Sequence, residues 1–200
     1  MPRPARTTQA RREAAEARRA RRAGVTDPDV VMAAAAAFLA VRSRSVEETR
    51  RRLNELGYPP ALCDQVVERL VVLGYLDDAA FAQAWIESRD RARPRGAVAL
   101  RRELQRKGVP DDTIAAALGE RDRRTAGTGQ EEGEPLPNAD REAAQRLLAR
   151  RDASLRREPD PRRRRQKAYA LLARNGFAPD VCNELAAGVG RELEAGPEHV

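Results

Sequence analysis

Three glycine-centred segments restrict the fold of this chain more than any other feature. A leucine stands four residues before each glycine, an apolar residue follows directly, and a proline comes two or three residues later. The glycines are Gly57, Gly108 and Gly176, and the leucines are Leu53, Leu104 and Leu172. A glycine ends one helix and a proline shortly beyond it opens the next. The same helix–turn–helix therefore occurs three times, as in proteins whose repeats are stabilised by stacking on their neighbours.

Helix-start signals upstream of the glycines extend this unit to three helices. Asp27-Pro28 and Asp160-Pro161 each combine an N-cap carboxylate with a proline at the first helical position, and Ser45 with Glu48 matches a capping box. Aromatic residues make up only 4% of the chain, whereas the good helix formers alanine, leucine, arginine and glutamate are abundant. We therefore predict an all-α protein whose tandem three-helix repeats form an elongated, curved modular array.

Composition divides the chain into six segments. Residues 1–25 are rich in arginine and lack apolar periodicity, and residues 120–138 are rich in glycine, threonine, glutamate and proline. The predicted segments are a disordered or transiently helical basic tail at 1–25, three-helix units at 26–74, 75–119 and 139–190, a flexible linker at 120–138, and a disordered C-terminus at 191–200.

Two adjacent carboxylates, Asp77 and Asp78, lie close to the only tryptophan, Trp85. Such a pair could hold a metal ion or act in acid–base chemistry. It falls at a predicted helix start, however, where exposed amides and the helix dipole favour a carboxylate, so we interpret it as a cap. Phe81 and Trp85 are four residues apart and should face inward, locking neighbouring repeats together. The predicted structural residues are Asp77, Phe81, Trp85, Leu53, Leu104 and Leu172.

The sequence carries no recognisable catalytic set. It lacks the glycine-rich motif that cradles phosphates, and its one histidine, His199, is the penultimate residue. Cys63 and Cys182 occupy the repeat position of Ile114, which indicates buried thiols rather than metal ligands or a disulfide. We expect no enzyme activity, cofactor or metal, and rank a carboxylate–metal nuclease last. No segment is apolar enough for a membrane span or a signal peptide, so we expect a cytoplasmic protein.

Positive charge is concentrated in three stretches of the chain. The net charge is +7, of which residues 1–24 contribute +6, and residues 89–107 and 162–167 are also basic. Such stretches attract nucleic acid or an acidic protein surface, although solvated arginine-rich faces without a partner would look the same in sequence. The side chains that we expect to face a partner or DNA are Arg44, Arg91, Arg93, Arg95, Arg101, Arg102, Arg106, Lys107, Arg162, Arg163, Arg164 and Lys167.

One set of motifs is specific enough to indicate a family. It comprises Arg42-Ser43-Arg44-Ser45, Leu73-Gly74-Tyr75-Leu76-Asp77-Asp78 with Phe81-Ala82 and Trp85, Pro94-Arg95-Gly96 with Leu100, and Glu103-Leu104 with Lys107-Gly108. At these distances the set resembles the RecX family of regulators of the RecA recombinase, over about residues 30–190 and most strongly over 42–118. The third unit matches by pattern only, and the basic tail and the 119–138 insert depart from the family pattern.

The resemblance implies a cofactor-free regulator that binds along the groove of the RecA–DNA filament. Such proteins hinder filament growth or promote disassembly, and so inhibit strand exchange, ATP hydrolysis and co-protease activity, which modulates recombination, DNA repair and the SOS response. We expect a monomer with no membrane partner. A helical DNA-binding protein that acts without RecA is the alternative. Capping of filament ends and coating of the groove both stay open, as does the face that contacts RecA.

Overall fold

The computed structural model describes residues 8–126 and 139–191, and all regular secondary structure within those ranges is α-helical. The helices are α1 (Thr8–Ala23), α2 (Pro28–Leu39), α3 (Val46–Leu56), α4 (Pro60–Val72), α5 (Asp78–Ala92), α6 (Ala97–Arg106), α7 (Asp111–Ala126), α8 (Ala139–Ala149), α9 (Asp152–Arg156), α10 (Pro161–Arg174) and α11 (Pro179–Arg191). Repeat 1 comprises α2–α4, repeat 2 comprises α5–α7, and repeat 3 comprises α8, α10 and α11 with the short α9 between the first two. The predicted all-α fold of tandem three-helix repeats is confirmed.

Side chains predicted to be N-caps hold the starts of three helices. Asp27 Oδ1 accepts from the amide two residues along at 2.9 Å, and Asp160 Oδ1 does the same at 2.8 Å. At α3, Ser45 Oγ accepts from the Glu48 amide while the Glu48 carboxylate accepts from the Ser45 amide, which is the reciprocal pair of a capping box. These starts follow from local sequence because each cap reaches only two or three residues along the chain.

The repeat glycines end α3, α6 and α10 in the left-handed region of backbone space. Their φ angles are +96° at Gly57, +77° at Gly108 and +79° at Gly176. A side chain in this conformation would cost about 1–2 kcal/mol, which explains the choice of glycine. After the first of these turns the Tyr58 amide donates back to Leu53 O at 3.4 Å, so the chain leaves the helix directly over the repeat leucine.

The chain divides into two compact units, each with its own core. The first is Met1–Phe81 with Lys107–Val109, and the second is Ala82–Arg106 with Pro110–Val200. The core of the first unit contains Val31, Ala35, Leu53, Tyr58, Cys63, Val66, Val67, Leu70 and Leu76. A core in the second unit contains Ala143, Ala144, Leu147, Leu148, Leu155, Ala168, Leu172, Phe177, Val181, Cys182 and Ala186.

The repeat leucines and both cysteines are fully buried. Leu53, Leu104 and Leu172 have 0% of their surface exposed. Cys63 and Cys182 are equally buried and form no disulfide, and burial raises the pKa of both thiols. A buried thiol with a raised pKa supplies little thiolate, so neither sulfur has the character of a nucleophile or a metal ligand.

The basic tail, expected to be disordered or only transiently helical, contains helix α1 over Thr8–Ala23. Twelve of its sixteen residues are alanine or arginine, both strong helix formers. Tertiary contacts also stabilise α1. The Arg19 stem lies against Gly57, and Arg22 Nη1 donates to Leu56 O at 3.4 Å. The Arg22 guanidinium also lies 5.6 Å from the centre of the Tyr58 ring. Residues 1–7 of the predicted tail lie outside the described ranges.

Helix α7 also extends further than the sequence predicts. Its last residue is Ala126, so the first seven residues assigned to the 120–138 linker are helical. The cause is Arg121, which is only 4% exposed and is held by carboxylates of other helices in the second compact unit. The rest of the predicted linker, 127–138, and residues 192–200 of the predicted C-terminal segment lie outside the described ranges.

Candidate interaction surface

The first turn of α3 is the centre of a joint, here called the first joint. Ser45 Oγ donates to the carbonyl of Lys107, and the Val46 amide donates to Asp78 Oδ1 at 3.0 Å. Gly108 lies so close to Glu47 that a Cβ at the glycine would overlap the Glu47 side chain. Burial raises the pKa of Asp78 although the Val46 amide favours its charged form. The residues that meet here come from α3, α5 and the α6–α7 turn.

The same arrangement recurs at the first turn of α6, here called the second joint. The Ala97 amide donates to both carboxylate oxygens of Asp140 at 3.0 Å, and the Gly96 amide donates to Asn175 O at 3.0 Å. A Cβ at Gly176 would overlap Ala99, as a Cβ at Gly108 would overlap its own neighbour. A carboxylate and a glycine turn of one repeat therefore meet the second helix of the preceding repeat twice in the chain.

Helix α1 makes the third version of this contact. The Leu56 carbonyl, one residue before Gly57, accepts from Arg22, just as the residues before the other two repeat glycines accept at the first and second joints. Arg19 occupies the space that a Cβ at Gly57 would need. Within the first compact unit, α1 thus takes the place that the second helix of a preceding repeat would take.

The two carboxylates at the start of α5, Asp77 and Asp78, accept hydrogen bonds from the first turns of two different helices. Asp77 Oδ1 accepts from the amides of Ala79 and Ala80 at 2.8 and 3.0 Å and so caps its own helix. Asp78 caps α3 instead. Among the described residues no cluster of three or more histidine, cysteine, aspartate or glutamate side chains is arranged to hold a metal ion. Capping therefore accounts for both carboxylates.

The two aromatic side chains predicted to face inward differ in environment. Phe81 is buried, and the Lys107 ammonium lies 5.7 Å from its ring centre. Trp85 is half-buried: its indole nitrogen donates to Glu103 Oε2 at 2.9 Å, and the Arg89 guanidinium lies 4.3 Å from its ring centre. The same Glu103 oxygen accepts from Arg89 Nε at 2.7 Å, so Trp85 belongs to a polar network and not to a purely apolar contact.

Lys107, predicted to face a partner, is an internal residue of the first joint. Its Nζ lies 3.1 Å from Glu48 Oε1, and the two side chains are only 14% and 11% exposed. Burial alone would raise the pKa of Glu48, but the hydrogen bond and charge of Lys107 outweigh it and hold that pKa below its ordinary value. Neither charge is available to an outside partner while this pair is formed.

An ion-pair network that sequence reasoning missed lies in the second compact unit. Arg121 donates to both oxygens of Asp90 at 2.9 Å and to Asp140 Oδ1 at 2.6 Å. Burial disfavours the charged forms, yet the two carboxylates hold the pKa of Arg121 above its ordinary value. Burial raises the pKa of Asp140 in spite of its bonds to Arg121 and the Ala97 amide.

Asp78 and Asp140, the carboxylates of the first and second joints, share a repeated spacing that is visible in the sequence. An aspartate stands four and eight residues before two buried apolar positions in each repeat. These sets are Asp27 with Val31 and Ala35, Asp78 with Ala82 and Ile86, and Asp140 with Ala144 and Leu148. Arg121 gave no comparable signal because it stands in a run of charged residues with nothing to mark it as buried.

Three other residues predicted to be partner-facing are engaged internally. Arg164 is only 3% exposed and donates to Glu158 O, so its prediction as a partner-facing residue is wrong. Arg44 is half-buried, with its guanidinium 4.1 Å from the Phe38 ring centre. Arg95 Nη1 donates to Asn175 at 2.8 Å beside the second joint. Their charges help to hold the repeats and are poorly placed for an outside partner.

The other predicted basic residues lie at the surface. They are Arg91, Arg93, Arg102, Arg106, Arg162, Arg163 and Lys167, with Arg101 half-exposed. On α6 the apolar face buries Leu100 and Leu104, and Arg101, Arg102 and Arg106 lie on the remaining surface without an ion pair among the described residues. These three arginines, here called the α6 face, form the candidate interaction surface of repeat 2.

The fold and its joints define a modular helical protein built from three three-helix domains. Domains of one family match each repeat: the RecX first three-helix domain over residues 32–70, the second over 77–118 and the third over 139–185. The chain is 35% identical to the regulatory protein RecX of Prosthecochloris aestuarii over 144 residues, which span 70% of this chain and 80% of that relative. It is 32% identical to the regulatory protein RecX of Mycobacterium tuberculosis over 158 residues, 78% of this chain and 84% of that relative. The chain belongs to the RecX family of regulatory proteins.

Solved structures share the same fold. A crystal structure of RecX from Lactobacillus salivarius has a TM-score of 0.61 at 17% identity and covers 81% of this chain and 96% of its own. A second crystal structure of a regulatory protein RecX has a TM-score of 0.61 at 21% identity, with 77% and 68% coverage. In the described ranges, no helix of this chain combines the length and apolar character that a bilayer span requires.

Proposed function

We propose that this protein binds the RecA–DNA filament and inhibits RecA activity, without catalysing a reaction of its own. The observation that carries the proposal is the match of all three repeats to the three RecX domains. Inhibition of RecA would lower strand exchange, ATP hydrolysis and co-protease activity, and so modulate recombination, DNA repair and the SOS response. Joints that use most of their polar groups internally fit a binding scaffold better than an enzyme.

The α6 face is the surface that we expect to contact the filament. Arg101, Arg102 and Arg106 extend from a helix whose opposite side is anchored by two fully buried leucines. Guanidinium groups on a rigid helix bind phosphate or carboxylate oxygens in pairs at little entropic cost. Filament DNA and acidic RecA side chains both offer such oxygens. Lys107 is left out of this face because it is paired with Glu48.

The test is inhibition of RecA ATPase activity on single-stranded DNA at substoichiometric amounts of this protein. The α6 variant replaces Arg101, Arg102 and Arg106 with glutamate. If each contact contributes about 0.5 kcal/mol, loss of all three raises the concentration for half-inhibition at least about tenfold. The absence of inhibition by the unaltered protein at every ratio would refute the proposed function.

A matched control separates the α6 face from a general effect of charge. It reverses the exposed arginines Arg51, Arg69 and Arg151, which form no ion pair among the described residues. We expect this control to inhibit like the unaltered protein. Undiminished inhibition by the α6 variant would remove the α6 face from the proposal and leave the function intact.

Direct binding to DNA without RecA is the second candidate function. It is favoured by the exposed arginines on α1 and α6 that lack carboxylate partners within the described ranges. Tight binding of the purified protein to naked DNA, with a steep dependence on salt and no effect on RecA ATPase, would favour this function over the first.

A further inference from the structure

Helix α1 is an addition to the three matched domains. The first of these begins at residue 32, after α1 has ended at Ala23. Across its sixteen residues α1 has six arginines and two glutamates, and its largest apolar side chain is alanine. A helix of this kind contributes almost nothing to a hydrophobic core, so its presence calls for another physical explanation.

The contacts at Gly57 hold α1 in a defined orientation. Arg19 and Arg22 lie on the side that meets repeat 1, against Gly57, Leu56 O and the Tyr58 ring. Because the same geometry recurs at the first and second joints, α1 is positioned like a helix of the array. The exposed residues beside this contact therefore have a fixed direction relative to repeat 1.

A stripe of exposed arginines extends along α1 beside the side that meets repeat 1, with Arg11 and Arg18 within about 40° of Arg22 around the helix axis. Successive helical residues are about 100° apart, so Arg11 and Arg18 lie within about 20° of each other and Arg21 about 60° further round. The stripe extends about 15 Å along the helix, at 1.5 Å per residue. All three side chains are exposed, and none has a carboxylate partner in the part of the chain that the structure describes.

Charge repulsion within the stripe favours an anionic partner. Like charges three or four residues apart on a helix destabilise it by about 0.2–0.5 kcal/mol per pair, and Arg18 with Arg21 is such a pair. A polyanion that neutralises these charges would convert the repulsion into binding energy. Arginine is well suited to this because its guanidinium donates two parallel hydrogen bonds to a phosphate.

We propose that the exposed face of α1, formed by Arg11, Arg18 and Arg21, binds the phosphate backbone of nucleic acid without regard to sequence. A protein partner would need an aromatic or aliphatic anchor at the centre of the contact, and a membrane would need a large apolar face. Helix α1 offers neither, since its non-charged surface is alanine. It also lacks aromatic side chains for base stacking, which leaves the phosphate backbone as the feature to recognise.

The test measures binding of the full chain to a fluorescent DNA duplex of about 30 base pairs as a function of salt. The α1 variant replaces Arg11, Arg18 and Arg21 with glutamine, which keeps helix propensity close to that of arginine. The salt slope is the slope of the logarithm of the binding constant against the logarithm of the salt concentration. Loss of three phosphate contacts should reduce its magnitude by about 2.7. Between about 50 and about 200 mM salt, the affinity of the unaltered protein should thus fall about 40-fold more than that of the variant.

Two further measurements decide the outcome. The control variant changes Arg51, Arg69 and Arg151 to glutamine, removes the same charge, and should keep the unaltered slope. An equal loss in this control, or an unchanged slope in the α1 variant, overturns the proposal. Binding of the unaltered protein to poly-glutamate without binding to DNA would assign the face to an acidic protein and also overturns it. Circular dichroism at 222 nm verifies that all variants retain their helices.

The outcome is independent of RecA regulation. ATPase inhibition that persists in the α1 variant, together with a lower salt slope on DNA, supports the α1 proposal whether or not the α6 face contacts RecA. An unchanged salt slope in the α1 variant would refute the α1 proposal. If the α6 variant at the same time lost its inhibition of RecA, the proposal for the α6 face would still stand.

Discussion

Replacing Arg121 with leucine tests the network that joins α7 to α5 and α8. The guanidinium is 4% exposed and forms hydrogen bonds of 2.6–2.9 Å to Asp90 and Asp140. Leucine fills part of the space but removes the countercharge from two carboxylates. Removing one partner from a buried ion pair costs about 3–5 kcal/mol. Since the Asp90 side chain is 21% exposed and can be partly hydrated, we expect about 3 kcal/mol.

Urea unfolding followed by circular dichroism measures this loss. With a slope of about 1–3 kcal/mol per molar urea, a loss of about 3 kcal/mol in Arg121→Leu should lower the unfolding midpoint by about 1–3 M. The control is Arg124→Leu, one turn along α7, where the partner is Glu87 at the surface and the loss should be at most about 1 kcal/mol. Adding Asp140→Asn should restore part of the stability, because an uncharged amide is buried at lower cost and its oxygen still accepts from Ala97.

The pH dependence gives an independent check. Burial raises the pKa of Asp140 even beside Arg121, and loss of the countercharge should raise it further. A carboxyl whose folded pKa exceeds its unfolded pKa binds a proton more tightly when folded. Its penalty is therefore absent below the unfolded pKa and complete above the folded one. The deficit of Arg121→Leu should be smaller near about pH 4 than near about pH 7. A deficit below about 1 kcal/mol at neutral pH, or one equal to that of Arg124→Leu, would refute the account of this network.

Two further predictions concern the first joint. Gly108→Ala should destabilise the protein by clearly more than Gly74→Ala: both glycines have φ near +75°, at +77° and +74°, but a Cβ meets Glu47 only at Gly108. Chemical denaturation of the two variants separates backbone strain of about 1–2 kcal/mol from the collision, and equal losses would contradict the close approach. Lys107→Met should remove the stability that Glu48 contributes above its unfolded pKa and that is lost as pH falls through its depressed folded pKa. Unfolding midpoints measured between about pH 3 and about pH 7 should therefore depend less on pH in that variant, and an unchanged dependence would contradict the pairing.

Local signals predicted the repeat architecture well. The caps at Asp27, Ser45 and Asp160 act over two or three residues, and glycine at a left-handed turn is required by the backbone itself. The shared repeat position of Cys63 and Cys182 was enough to predict that both are buried. The sequence alone predicts these features because each depends on residues nearby in the chain or on the comparison of one repeat with another.

Two helix boundaries were predicted poorly, for a common reason. Helix α1 packs through Arg19 against a glycine 38 residues away, and α7 is extended by Arg121, whose partner Asp90 is 31 residues away. Both segments have the composition of solvated or flexible chain. Helix propensity alone leaves such segments marginal, and it is the tertiary contact that stabilises them.

The sequence by itself determined the number of repeats, the capped starts of α2, α3 and α10, the glycine turns that end α3, α6 and α10, and the family to which the chain belongs. Only the tertiary structure decided which charges are internal. Lys107 and Arg164 are engaged within the protein, while Arg101 and Arg102 remain at the surface, although all four stand in similar basic runs. The physical reason is that a charge is neutralised by whatever lies within a few ångströms in space, and for Lys107 that is Glu48, 59 residues away in sequence.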